Sequence, residues 1–324
     1  MRELNGLSAL VTGGSRGLGL LLARELAGRG CRVTIAARDP HELAEAAELL
    51  RSDGAEVRTA VCDVRDQNQV RGLVTGTARE QGGLDIVIGN AGIIQVGPVG
   101  VLGAREFHDA LDSIFLGALY TSLESLPYLR ESPAGGRLAL IGSIGGLLAV
   151  PHLLPYSCAK AAVGTLAEGL HEEQARYGVS VTAVHPGLMR TGSHLHARFT
   201  GNAEREFAWF STLAGLPLLS MNAERAAGRI VTAVARRRPR VVLTPLARTG
   251  ARLHGVAPVL TTRMNRLFAR MLPRADEGPS RPLEGSRAAP RDRTAATRAR
   301  RLATVLNERA ADRLNQRGPS TGTR

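Results

Sequence analysis

One stretch near the start of this 324-residue chain, Thr12-Gly13-Gly14-Ser15-Arg16-Gly17-Leu18-Gly19, restricts its fold more than any other. The run Ser8-Ala9-Leu10-Val11-Thr12 leading into it reads as a buried strand. Leu20, Leu21, Leu22, Leu26 and Ala27 beyond it supply the apolar positions of a helix. A strand passing through glycines into a helix is the opening of a dinucleotide-binding βαβ unit. The glycines let the backbone turn tightly and approach a pyrophosphate, and the helix N-terminus offers free N–H groups and a partial positive charge. The spacing is TGxxxGxG rather than GxGxxG, so the loop takes its meaning from the rest of the chain.

Beyond the first helix the pattern alternates regularly. Strand-like segments at 31–36, 56–61, 84–89, 137–142 and 179–184 are separated by helical patterns at 41–52, 67–80, 104–129 and 155–177, and a last strand falls near 240–243. Such alternation implies a doubly wound parallel sheet, Rossmann-like, with helices on both faces.

Two places carry chemistry. Tyr156 and Lys160 are four residues apart, hence on one face of a helix. An ammonium beneath a phenol favours the phenolate, so the Tyr156 pKa is expected below its reference of ~10. Lys160 is the only lysine in a chain otherwise committed to arginine, which marks a position where a compact, tunable ammonium is needed. Ser143, in Ile141-Gly142-Ser143-Ile144-Gly145-Gly146, sits where an apolar run gives way to small residues, so its hydroxyl is expected at a strand's carboxyl end. The second strand ends in Ala37-Arg38-Asp39. No acid stands at the tip, Arg38 offers a fork to a 2′-phosphate, and Arg16 offers a second. Asp39, ahead of Pro40, is expected to cap the next helix. NADP(H) is therefore favoured over NAD(H).

Together these segments resemble the short-chain dehydrogenase/reductase (SDR) family over residues 7–191. The matches are TGGSRGLG at 12–19, Asp63-Val64, Asn90-Ala91-Gly92, Ser143, Tyr156-x-x-x-Lys160 and Pro186-Gly187. The resemblance implies a sheet in the order 3-2-1-4-5-6-7 and an oxidoreductase acting between a ketone and a secondary alcohol. It makes Tyr156 the proton donor or acceptor, Ser143 the hydrogen-bond partner of the substrate oxygen, and Lys160 the group that tunes Tyr156 and bonds the nicotinamide ribose. Cofactor contacts are expected from Gly13, Ser15, Arg16, Gly17, Leu18 and Gly19, from Arg38, Asp63 and Val64, from Asn90, Ala91 and Gly92, and from Pro186, Gly187, Met189 and Thr191. One position departs from the pattern: Ile114 stands where the family carries an Asn that helps hold a water in a proton relay. A non-catalytic NADP(H)-binding scaffold or regulatory protein is the competing reading.

Composition narrows the remainder. Cys31, Cys62 and Cys158 lack CxxC spacing, which argues against a disulfide framework or zinc site and for a reducing, cytoplasmic setting. No signal core or membrane span is evident. His194-Leu195-His196 lacks a companion ligand set, so no metal is expected. Phe207, Trp209 and Phe210 cluster in a chain with 3% aromatics, consistent with either a lid over a lipophilic substrate or plain core. A homo-oligomer is the expected assembly.

The excess positive charge is C-terminal: residues 236–273 hold nine Arg and no acid. The expected domains are a catalytic unit at 1–245, an amphipathic basic helical extension at 246–273, and an Arg-rich disordered tail at 274–324 with a helix-like pattern near 301–317. Leu253, Val256, Leu260, Met264, Leu267 and Met271 read as one stripe, which suits the chain's own core, a sister subunit or peripheral contact with a membrane. Nucleic acid is not expected, because the Arg-rich tail lacks interleaved aromatics.

Overall fold

The computed structural model describes residues 4–216, 219–274, 281–289 and 295–317. Seven parallel strands form the central sheet: β1 (Ser8–Thr12), β2 (Arg32–Ala37), β3 (Val57–Val61), β4 (Ile86–Gly89), β5 (Arg137–Ile141), β6 (Ser180–His185) and β7 (Arg240–Val242). Their spatial order is 3-2-1-4-5-6-7, as expected. The reversal on either side of β1 opens a crevice at the strands' carboxyl ends, where ligands of such sheets bind.

Both faces are covered, so the inner strands β1, β4, β5 and β6 are buried throughout rather than at alternate residues. In β1, Ala9 and Val11 enter one core while Leu10 enters the other. On the first face lie α1 (Gly17–Ala27) and α2 (Pro40–Ser52). Asp39 caps α2, accepting from the backbone N–H groups of His41 at 2.8 Å and Glu42 at 3.1 Å. On the second face lie α3 (Gln67–Gln81) and a long helical stretch of α4 (Ala104–Ala110), a π-helical turn Leu111–Leu116, and α5 (Gly117–Arg130). This face also takes α6 (Leu154–Gln174), which carries Tyr156 and Lys160. Beyond the sheet's sixth strand come α7 (Ala203–Gly215) and α8 (Ala223–Ala235), the latter packing on α1.

The C-terminal third differs from its sequence reading in two ways. The stripe at 253–271 is not one helix but two, α9 (Pro245–Val256) and α10 (Pro258–Ala269). Pro258 starts the second and drives Ala257 out of helical geometry, to φ −135° and ψ 66°. Of the span expected to be unstructured, 275–280, 290–294 and 318–324 lie outside the described residues. However, Leu283–Glu284 pairs antiparallel with Arg198–Phe199, and the turn Gly285–Ala288 buries Gly285 and Ala288. The last helix, α11 (Ala295–Arg313), packs against α7. Its low apolar content concealed this docking, because it seats through Ala310, Ala311 and Leu314 and through polar side chains rather than a leucine stripe.

Candidate active site

A cleft of about 760 Å³ lies over the carboxyl ends of β1, β2, β4, β5 and β6. One end is the glycine loop, where Gly13, Ser15, Arg16, Gly17, Leu18 and Gly19 all face the space. A Cβ at Gly19 would collide with the Gly13 carbonyl oxygen, so the loop closes only on glycine. No side chain caps the first turn of α1, which leaves that helix terminus as an anion cradle. Asn90 braces it: Nδ2 donates to the carbonyls of Thr12 and Gly13 at 3.1 Å, while Thr12 Oγ1 accepts from the N–H of Asn90 at 3.1 Å and of Ala91 at 3.3 Å. Thr12 was not among the expected site residues, although its place at a strand end beside glycines is the signal that marks it.

Arg38 lines the cleft beside Ala37, and Asp63 and Val64 follow at the end of β3. Asp63 holds Arg65 with both carboxylate oxygens, at 2.5 to 3.0 Å, and that hydrogen bond keeps its carboxyl below the usual range. Arg16 differs from expectation. Its guanidinium is engaged by Glu42 at 2.5 Å, and Glu42 also accepts from Ser15 Oγ at 3.0 Å. The first turn of α2 thus brings a carboxylate to the place where a second phosphate fork was expected.

At the other end Ser143, Tyr156 and Lys160 converge, flanked by Ala91, Gly92, Pro186, Gly187, Met189 and Thr191. Ser143 follows β5 and accepts from the Gly145 N–H at 3.0 Å. Lys160 is buried, its Nζ donating to the Ile141 carbonyl at 2.5 Å and lying 5.7 Å from the centre of the Tyr156 ring. Burial pulls the Lys160 pKa down to about 8. Tyr156 corrects the sequence reading: burial pushes its phenol above the ordinary value, and the hydrogen bond with Ser143 offsets only part of that. Desolvation of a phenolate outweighs the neighbours that would favour it.

Ile114 is 1% exposed, inside the π-helical turn, and sits against Gly92 near Lys160. Turns of this kind are frequent at functional sites. Ser113, its neighbour, lines the cleft.

His194 and His196, at which no metal was expected, are engaged within the chain. His194 Nε2 lies 3.1 Å from Glu308 Oε1, and His196 Nε2 lies 2.8 Å from the Gln316 carbonyl oxygen. Among the described residues no group of three or more His, Cys, Asp or Glu is placed to hold a metal ion. Phe207 and Phe210 are core, packed with Phe199, whereas Trp209 is only partly covered and donates to Glu206 Oε2 at 2.6 Å. Glu206, fully buried, also meets His152 Nδ1 at 2.8 Å. That pair ties the loop before α6 to α7, and nothing in either local sequence announced it.

The sequence profile of the short chain dehydrogenase family matches residues 8–198. A ketoacyl reductase assigned to the granaticin polyketide synthase of Streptomyces violaceoruber is 37% identical over 192 residues, covering 56% of this chain and 68% of its own. Gluconate 5-dehydrogenase of Gluconobacter oxydans is 33% identical over 193 residues, 58% of this chain and 73% of its own. A short-chain type dehydrogenase/reductase from Mycobacterium marinum superposes with a TM-score of 0.65 at 26% identity, over 74% of this chain and 94% of its own. With the glycine loop, Ser143, Tyr156 and Lys160 gathered in one cleft on that fold, the chain belongs to the short chain dehydrogenase family, whose members bind NAD(P).

Proposed function

We propose that this protein is an NADP(H)-dependent oxidoreductase that interconverts a ketone and a secondary alcohol on a lipophilic substrate. The observation that carries this reading is the meeting of Ser143, Tyr156 and Lys160 with the glycine loop in a single cleft. The dinucleotide, when bound, supplies or accepts the hydride. The chain's own groups hold the substrate oxygen and move the proton. Ser143 hydrogen-bonds that oxygen, and Tyr156 gives it a proton, so that no free alkoxide has to form. Burial holds the Tyr156 phenol above its ordinary value, so it serves as a proton donor to the substrate oxygen. Lys160, with a pKa of about 8, keeps its charge near neutral pH.

Arg38 supports NADP(H). It faces the cleft, has no side-chain hydrogen bond or ion pair among the described residues, and has no competing carboxylate at Ala37, while Asp39 is turned to α2. Ile93, Ile94, Met189 and Ala197 on the cleft wall support an apolar substrate. The test is purified protein with NADPH or NADH against ketosteroids, 3-oxoacyl thioesters and aromatic ketones. Oxidation of NADPH in preference to NADH on at least one carbonyl is expected. Tight NADPH binding with no turnover on any of them would favour the scaffold reading, to which the buried Ile114 lends its weight.

A second observation bears on where the substrate is met. The α9–α10 hairpin packs beside the turn after Ser143, with Asn265 Nδ2 donating to the Ala149 carbonyl at 2.9 Å. Its apolar side is bare: Val256 is 88% exposed and Met271 83%, and Leu246, Val259, Leu260, Met264 and Leu267 are exposed too. Arg248, Arg252, Arg263, Arg266 and Arg270 are the only charged side chains in these two helices and the turn that ends them. No helix among the described residues is long and apolar enough to cross a membrane. Apolar area edged by Arg, each worth about 1 kcal/mol at an anionic surface, fits reversible peripheral contact with anionic lipid. Co-sedimentation with anionic vesicles at low salt, lost at high salt, is expected; protein left in the supernatant at low salt would end this reading.

A further inference from the structure

The C-terminal segment closes over the glycine loop. Its anchor is polar. The Gly192 N–H donates to Asn307 Oδ1 at 2.9 Å, Asn307 Nδ2 meets His194 Nδ1 at 3.0 Å, and His194 in turn meets Glu308. Gly192 adopts φ +74°, and a Cβ there would come within 2.5 Å of Ala311, so only glycine lets α11 seat against this turn. From that seat the chain runs onto the cradle. The Leu314 carbonyl accepts from the Gly17 N–H at 2.9 Å, and Asn315 Nδ2 donates to the carbonyls of Ser15 and Glu42 at 3.1 Å. His196 holds the Gln316 carbonyl.

The Gln316 side chain is what this arrangement leaves over. It is 5% exposed, lines the cleft, and its buried Oε1 has no hydrogen-bond partner. Its Nε2 lies directly above Gly17, 2.6 Å from where a Cβ would stand. A buried amide oxygen without a donor costs the desolvation of that group unless a ligand satisfies it. The tail has also taken one N–H of the anion cradle, at Gly17, and placed an amide donor over the same spot.

We propose that Gln316 is a dinucleotide-contacting residue: the docked tail forms the roof of the cofactor site, and beside Thr191 the Gln316 amide donates to the phosphate on the nicotinamide side of the diphosphate and accepts from that side's ribose hydroxyl. This rests on the reading of the cleft as an NAD(P) site. Neither the loop nor the tail alone makes the contact, and the roof acts on NADPH and NADH alike, because the part of the dinucleotide it meets is common to both.

Fluorescence titration and stopped-flow release of NADPH and NADH, with adenosine 2′,5′-bisphosphate as a probe lacking the diphosphate bridge, test this in the full chain. Gln316→Ala is expected to weaken both dinucleotides about 3- to 10-fold, mainly through faster release, and to leave the bisphosphate unchanged. Ala311→Arg, which unseats α11, is expected to weaken the dinucleotides at least as much. Hydrogen exchange at 304–317 is expected to slow when NADPH is added. Unchanged or tighter dinucleotide binding in Gln316→Ala would overturn the proposal, tighter binding meaning that the tail obstructs the site. Equal loss of the bisphosphate would also overturn it, showing a deformed loop rather than a lost contact. Wild-type protein that binds neither dinucleotide would remove the cofactor reading itself, and this inference with it.

Discussion

The two walls of the cleft are built in opposite ways. The floor, from the glycine loop to Thr191, is made of short local motifs at strand ends, and every expected site residue lies on it. The roof, from His194 to Gln316, is made of residues more than a hundred positions apart that meet only because α11 docks, as in the pairs Gly192–Asn307 and His196–Gln316. On the floor, function follows from residue type and spacing. On the roof it follows from which polar groups are left to satisfy one another.

The largest effect belongs on the floor. Tyr156→Phe is expected to lower kcat about 10²- to 10⁴-fold while leaving NADPH affinity intact, since only the transferable proton is lost. Near-native kcat would remove Tyr156 from its role. Lys160 has its pKa depressed to about 8, so its charge is present below that pH and lost above it. The reductive kcat/KM of the wild type is therefore expected to fall as pH rises through about 8, and a flat profile from pH 7 to 9 would contradict a role for the ammonium.

Next comes Ile114→Ala. The side chain is buried under Gly92, so its truncation is expected to cost roughly 2–5 kcal/mol in urea unfolding, with little change in kcat of the folded protein. A fall in kcat without a fall in stability would instead place Ile114 in the chemistry. Arg38→Asp is smaller, a loss of roughly 10- to 100-fold in NADPH affinity with NADH little affected. An unchanged NADPH/NADH ratio would leave the 2′-phosphate to another residue. The smallest effect separates the hairpin from both walls. Leu260→Ser with Met264→Ser is expected to shift stability by no more than about 0.5 kcal/mol each, yet to reduce vesicle binding. A large stability loss would show that the stripe is covered by a second copy of the chain.

The hairpin and α11 show why parts of the chain were legible and others not. The apolar stripe from Leu253 to Met271 is a strong periodic signal, but periodicity reports an amphipathic face and not what covers it; in this chain nothing among the described residues does. In α11 the signal is weak, yet Ala311 and Asn307 are almost wholly buried. Small and polar side chains seat a helix when a matching surface waits for them, and that surface, the turn at Gly192 with His194, offered in sequence only an HxH pair without companion ligands. Arg16 teaches the same lesson from the other side. Its place in the loop suggested a phosphate fork, but Glu42, one turn into the next helix, reaches back to it.

By itself the sequence determined the parallel sheet with its covering helices and, through the resemblance its motifs carry, the strand order and the floor of the site. Alternating apolar runs and helical patterns leave few topologies, and the chemistry of a glycine loop or of Tyr156 and Lys160 one helical turn apart is local. Only the tertiary structure decided the direction in which the Tyr156 pKa moves, upward through burial, and the partner that Arg16 takes. It alone decided that the Arg-rich tail closes the cleft. These depend on desolvation and on pairing between distant groups, quantities set by what surrounds a residue rather than by what precedes it.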